Sequence, residues 1–161
     1  MISPQELASA FERNLGIIKM QTAGLTHQQS LLQPPFRGNC LNWVLGHILE
    51  TRDGILRTLG QEPILSDKER ARYGYGSEPV RGDGADILRL EKMLELLERS
   101  QKGIEAGLQR ITPEQLAKET RDHRGVVTIA QRLFFQYFHE TYHVGQTELL
   151  RQLAGTNDKV I

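Results

Sequence analysis

Two histidines four residues apart, His139 and His143, are the residues whose type and spacing could do chemistry. In a helix, such residues lie on one face, so their imidazoles can converge on a single point. Neutral imidazole is the commonest protein ligand for late first-row metals. Because buried rings need polar partners, one metal ion would satisfy both together. Steps of three and four along the chain show that this face is apolar, with Phe135, His139, His143, Gln146, Leu150 and Leu153.

A third ligand is needed because two imidazoles alone bind a metal weakly. His47 is the candidate, since it lies among apolar residues one helical turn after Trp43. Taken alone, His47 could equally be a core histidine bonded to a neighbouring helix. The second histidine pair favours a ligand, because metal sites in helical bundles are built from side chains on facing helices. His27 and His123 are predicted to be solvated.

Two other features of the sequence offer alternatives to this metal site. Cys40 precedes His47 by seven residues, about 10 Å along a helix axis, which is too far for both to reach one ion. It is predicted to be a buried or partly buried free thiol. His139-Glu140-x-x-His143 also matches the H-E-x-x-H signature of zinc metalloproteases. Those enzymes need a further downstream ligand, and no histidine follows His143, so a peptidase is not expected.

The composition is that of a soluble globular protein, and we expect residues 1–161 to form one domain. Twenty basic and twenty acidic residues cancel, which argues against a nucleic-acid partner. The N-terminus does not resemble a signal peptide, and no run of 18 apolar residues occurs, so no membrane association is expected. The single cysteine excludes an internal disulfide framework. These features predict a cytoplasmic location.

Four long helices are predicted to position the histidines, over residues 3–32, 41–59, 85–110 and 126–154. A capping box starts the first helix, and the apolar residues of each recur at steps of three and four. No segment alternates with the period of a strand. The predicted fold is therefore all-α, a four-helix bundle with a long crossover between the second and third helices.

The crossover, residues 61–83, is rich in proline and glycine and is predicted to contain one helical turn at 66–69. Long connections in compact domains are usually functional or mobile. Its tyrosines, Tyr73 and Tyr75, could form a lid over the site or pack on the nearest apolar surface. A short helix and a charged loop are predicted within residues 112–125.

Together these motifs resemble the DinB-like superfamily of bacterial metal-binding four-helix bundles. The resemblance rests on His47 and on the run His139-Glu140-x-x-His143-x-Gly145-Gln146, is supported by residues 149–155, and spans the whole chain. It implies that His47, His139 and His143 bind one divalent ion with a position left open. Zinc or nickel is expected first, with manganese or iron also acceptable. Some relatives are thiol-dependent transferases, and many form homodimers.

Two further residues on the fourth helix are candidates for catalysis. Glu140 could flank the metal as a base, or it could face solvent or form an ion pair between helices. Gln146 could orient a ligand or a metal-bound water, or it could hydrogen-bond the backbone of a neighbouring helix. The residues alone leave these alternatives open.

The expected function is that of a metal-dependent transferase or hydrolase acting on a small molecule, with a low-molecular-weight thiol as one expected cosubstrate. The alternative is a non-catalytic protein, either a metal-containing ligand binder or a structural dimer. A homodimer is expected from the resemblance. The aromatic residues Phe134, Phe135 and Phe138 of the fourth helix are predicted to lie in the core or at such a dimer interface.

Overall fold

The chain is mostly helical, as predicted, in a computed structural model that describes residues 2–156. None of the helices in this range combines the length and hydropathy that a membrane crossing requires. The elements are α1 Pro4–Thr22, α2 His27–Ser30, α3 Leu41–Thr58, α4 Asp67–Tyr73, α5 Leu90–Arg110, α6 Pro113–Ala117, β1 Glu119–Asp122, β2 Gly125–Thr128 and α7 Ile129–Leu153.

Local sequence signals explain where most of these helices begin and end. Capping boxes start α1, α2, α4, α6 and α7, so at each start side chains accept from the N–H groups of the N-cap residue and of the third helical residue. The end of α3 is a Schellman motif in which the N–H of Gly60 bonds Arg57 and that of Gln61 bonds Leu56. Gly60 has φ +66°, which glycine adopts without steric cost.

The four long helices pack around one core. Helices α1 and α3 each contact both α5 and α7, so each long helix buries its apolar stripe against two others. The stripe predicted for the first helix is fully confirmed, because its four members are all buried: Leu7, Phe11, Leu15 and Ile18.

Helix α5 begins at Leu90, five residues later than predicted. The predicted start at residue 85 was wrong, because backbone N–H groups near this point donate to side chains of other elements. The N–H of Leu88 donates to Tyr73 Oη at 2.9 Å, and that of Leu90 donates to His27 Nδ1 at 3.2 Å. No local capping residue marks this boundary, since Arg89 makes no side-chain cap.

A β-hairpin replaces the predicted charged loop and the first turn predicted for the fourth helix. Strands β1 and β2 pair antiparallel, with Glu119 opposite Thr128 and Asp122 opposite Gly125. The prediction that the chain contains no strand was therefore wrong. Each strand has only four residues, too few to display a strand period, although Val126, Val127 and Thr128 are β-branched residues that favour strands.

Tyr73 packs the connection formed by residues 61–83 against α3. Its side chain is fully buried, and its hydroxyl donates to Asn42 Oδ1 at 3.1 Å. The ring lies directly over Gly46, where an added Cβ would come within 2.1 Å of it, so that position must be glycine. Tyr73 is therefore a core residue, and the lid hypothesis is wrong for it.

Candidate metal centre

Helices α3 and α7 bring the three predicted ligands together. His47 lies on α3, and His139 and His143 lie one turn apart on α7. The Nε2 atom of His139 is 3.3 Å from Nε2 of His47 and 3.2 Å from Nε2 of His143. The three ring nitrogens thus face one point, and this cluster could hold a metal ion.

Hydrogen bonds at Nδ1 set the tautomers of two of the rings. Nδ1 of His47 donates to the carbonyl oxygen of Tyr73 at 2.9 Å, and Nδ1 of His143 donates to Gln146 Oε1 at 2.8 Å. Both partners are oxygens that only accept, so the proton of each neutral ring is on Nδ1. The Nε2 atoms of His47 and His143 therefore carry free lone pairs, which is the form that binds metal.

The arrangement of these lone pairs fits a divalent cation. Because the rings of His47 and His143 carry their protons on Nδ1, only the Nε2 atom of His139 could have a proton to share. Nδ1 of His139 lies 3.5 Å from Thr51 Oγ1. Such crowding of lone pairs is unfavourable without a cation between them. A tetrahedral zinc ion, with Zn–N bonds of about 2.0–2.1 Å, would hold its nitrogens about 3.3 Å apart. The observed separations of 3.2 and 3.3 Å match this value.

Burial keeps all three rings neutral. It lowers the pKa of His139 to about 4, with His143 and His47 contributing as neighbouring charges. Burial also lowers the pKa of His47 and of His143, although the hydrogen bonds that these rings donate to Tyr73 and Gln146 act in the opposite direction. At neutral pH no proton has to leave before a metal can bind.

Aromatic packing holds the plane of the His47 ring. Trp43, one turn earlier on α3, stacks on it at 4.8 Å between ring centroids and an angle of 19°. The indole is itself fixed, because its Nε1 donates to Ser77 Oγ at 3.0 Å. The ring of His47 is thus held by Trp43 on its face and by Tyr73 at its Nδ1, which fixes the direction of its lone pair.

Gln146 accepts a hydrogen bond from Nδ1 of His143, so the group that it orients is one of the three clustered histidines. Replacing Gln146 by alanine should lower the affinity for zinc about 10- to 100-fold, because ring orientation and tautomer are then no longer fixed. Competition with a chromogenic chelator measures this affinity. Gln152→Ala, an exposed position on the same helix, is the matched control and should bind as wild type does. Equal affinity in all three proteins would contradict this role.

Glu140 lies in an ion pair between helices, one of the alternatives left open by the sequence. Its side chain is fully buried, and its oxygens accept from Arg52 Nε and Nη2, each at 2.8 Å. Arg52 also donates to the carbonyl oxygen of Phe11 and to Ser100 Oγ, both at 3.1 Å. Arg52 was missed, although an arginine within an apolar helical run signals a buried partner.

Cys40 and His27 are both buried. The prediction of a buried free thiol holds for Cys40, whose pKa is raised by burial and whose Sγ lies 3.5 Å from the carbonyl oxygen of Val80. The prediction that His27 is solvated was wrong. Its Nδ1 accepts from the N–H of Leu90 and its Nε2 lies 3.2 Å from Asp83 Oδ1. Neither residue joins the histidine cluster.

The histidine cluster lies beside a cleft of about 700 Å³, which is a size typical of small-molecule sites. His123, exposed as predicted, belongs to this cleft rather than to the cluster. Tyr75 is 97% exposed at its rim. Its lining includes His47, His139, Tyr75, His123, Arg132 and Phe135.

Comparisons with known proteins agree with this geometry. The model of the DinB superfamily matches residues 10–147, and members of this family often bind metals. A crystal structure of a conserved protein from Enterococcus faecalis superposes with a TM-score of 0.74 over 97% of this chain and 99% of that one. At 18% identity it shows a shared fold. A search of curated proteins finds no significant match. The chain therefore belongs to the DinB superfamily.

Proposed function

We propose that this protein is a metal-dependent enzyme that acts on a small molecule, either as a transferase with a low-molecular-weight thiol as cosubstrate or as a hydrolase. The supporting observation is that three neutral Nε2 atoms converge beside a cleft large enough for such a molecule. Two of the three rings, those of His47 and His139, line the cleft itself. A ligand in the cleft would therefore reach the same point as the histidines.

The donor set favours a catalytic site over a structural one. Within residues 2–156, no fourth histidine, cysteine or carboxylate joins the three histidines, whereas structural zinc sites are usually closed by four protein ligands. Three imidazoles suit zinc or nickel, which we propose first, and also accept manganese or iron. When bound, such an ion supplies Lewis acidity, which lowers the pKa of a water or thiol toward neutrality.

The chain's own residues position and shield the reacting groups. Tyr73 and Gln146 hold the rings of His47 and His143 in place through their Nδ1 atoms. Preorganised donors need no rearrangement during the reaction. Phe135 contributes an apolar wall to the cleft, which excludes water from one side of a bound molecule.

The scaffold that we propose is a single-domain four-helix bundle with a crossover between α3 and α5, supported by the mutual contacts of α1, α3, α5 and α7. We also propose a homodimer. Four large apolar side chains on α7 are each more than half exposed, which is typical of a surface covered by a partner. They are Phe134, Phe138, Tyr142 and Leu149.

Turnover by metal-loaded and metal-free protein tests the proposed function. Zinc- or nickel-loaded protein should conjugate a thiol such as glutathione or cysteine to 1-chloro-2,4-dinitrobenzene, or hydrolyse 4-nitrophenyl acetate, faster than the uncatalysed reaction. Metal-free protein and the His143→Ala variant should not. Full metal occupancy without turnover of any probe would contradict the enzyme and favour the alternative, a metal-containing binding or structural protein.

A further inference from the structure

Arg132 is a cation in the wall of the cleft that pairs with no carboxylate among residues 2–156. Other charges around the cleft have partners. The carboxylate of Asp122 accepts from the guanidinium of Arg124, which lowers its pKa to about 2. Arg70 Nε lies 3.3 Å from Asp53 Oδ2, an ion pair without good hydrogen-bond alignment. A charge beside a low-dielectric wall, without a partner of its own, attracts an anionic ligand.

Glu50, the other acidic residue of the lining, does not neutralise Arg132. Its carboxylate is 4.0 Å from Arg70 Nη2 and is three-quarters buried, and burial raises its pKa. Its charge is thus associated with Arg70. In the lining, Glu50 and Asp122 balance Arg70 and Arg132, but Asp122 is already paired with Arg124 outside it. Among the described residues of the lining, Arg132 is therefore the cation that no carboxylate pairs.

Phe135, close to Arg132 in the lining, adds an apolar surface. The guanidinium carbon of Arg124 lies 4.0 Å from the ring centroid of Phe135, and the ring centroid of His123 lies 5.4 Å from it. These contacts hold the Phe135 ring in place. Gln136, next along α7, also lines the cleft, but its Oε1 atom is closed off from the cleft and meets no hydrogen-bond donor in the described residues. The side chains of the lining that a bound molecule would meet here are therefore the ring of Phe135 and the guanidinium of Arg132.

We propose that the cleft selects small molecules that carry a carboxylate, bound by Arg132. This inference rests on the proposed function and specifies its thiol as an acidic one. A guanidinium matches a carboxylate through two parallel hydrogen bonds. One uncompensated positive charge balances a monoanion, whereas a phosphate ester would need more. Arg132 is therefore a specificity residue of this site.

Cobalt-loaded protein tests the proposal through the absorption band that a thiolate produces when it binds cobalt. The probes are thioglycolate, 3-mercaptopropionate and 4-mercaptobutyrate, which differ in the span from sulfur to carboxylate, and neutral 2-mercaptoethanol. At least one acidic thiol should bind about 10- to 100-fold more tightly than 2-mercaptoethanol, the range expected for a charged hydrogen bond. Arg132→Gln should abolish this preference and leave the affinity for 2-mercaptoethanol unchanged.

Arg121→Gln is the matched control, because it removes the same charge from an exposed position outside the lining. It should keep the preference for acidic thiols. Equal affinities for acidic and neutral thiols in wild type, or a preference that survives Arg132→Gln, would overturn the inference and leave the proposed function standing.

Absence of the thiolate band with every probe would instead count against the thiol in the proposed function. Calorimetric titration with benzoate then decides the anion site separately. Benzoate binding that is lost in Arg132→Gln and kept in Arg121→Gln would support the carboxylate site. No benzoate binding to wild type would overturn it.

Discussion

Replacing His139 by alanine should remove bound divalent metal almost completely, to below a tenth of the wild-type content. His139 is the central nitrogen of the cluster, since its Nε2 lies within 3.3 Å of both His47 Nε2 and His143 Nε2. Without it only two imidazoles remain. Because the loss of an outer hydrogen bond to a ligand already costs about 10- to 100-fold in affinity, loss of a ligand itself should cost more than this.

Elemental analysis of purified, untagged protein measures the effect. Wild type should carry near-stoichiometric zinc, nickel or manganese, and His123→Ala is the matched control. His123 is an exposed histidine of the same cleft but not of the cluster, so its loss should leave the metal content unchanged. A wild-type protein that is metal-free and takes up neither zinc nor nickel would refute the metal centre. The three histidines would then be core residues of a helical binding protein.

Replacing Arg52 by methionine should lower the free energy of unfolding by about 3–5 kcal/mol, the usual cost of removing one partner from a buried ion pair. Both Arg52 and Glu140 are fully buried, so the variant leaves a carboxylate without a counter-ion. It also removes the hydrogen bonds that Arg52 donates to Phe11 and Ser100. The double variant Arg52→Met, Glu140→Gln should recover part of the loss, because no charge remains buried.

Urea unfolding followed by circular dichroism, with a chelator present so that metal binding does not contribute, measures these free energies. Lys19→Met is the matched control, since Lys19 and Glu98 form an ion pair of 2.6 Å in which both side chains are about half exposed. Its loss should leave the free energy of unfolding nearly unchanged, because exposed ion pairs contribute little to stability. If Arg52→Met fails to fold, Arg52→Lys, which keeps the charge, should fold with intermediate stability. An Arg52→Met protein as stable as Lys19→Met would contradict the prediction.

Local chain geometry explains what could be predicted from the sequence. The convergence of His139 and His143 depends only on the helical repeat, which places residues four apart on one face. The capping boxes and the Schellman glycine Gly60 likewise act within a few residues. The choice of His47 needed more, namely the apolar surroundings of that residue and the existence of a second buried histidine pair.

Other features depend on residues that are distant in the chain, and the sequence did not reveal them. His27 is buried because Asp83 and the first N–H of α5 meet its ring. The start of α5 and the short hairpin were missed for the same kind of reason, since tertiary partners or a few cross-strand pairs replace the usual local signals there.

Glu140 and Gln146 show most clearly which features the sequence determines and which depend on tertiary structure. The sequence by itself determined that both lie on the helix that carries two of the three histidines. Which groups they meet was decided by tertiary structure, because the Arg52 guanidinium reaches Glu140 from α3 while the ring orientation of His143 brings its Nδ1 to Gln146. Periodicity reports which face of a helix is apolar. It does not report which neighbouring element covers that face. That neighbour determines whether a polar side chain on the face binds a ligand, orients a residue that binds one, or stabilises the core.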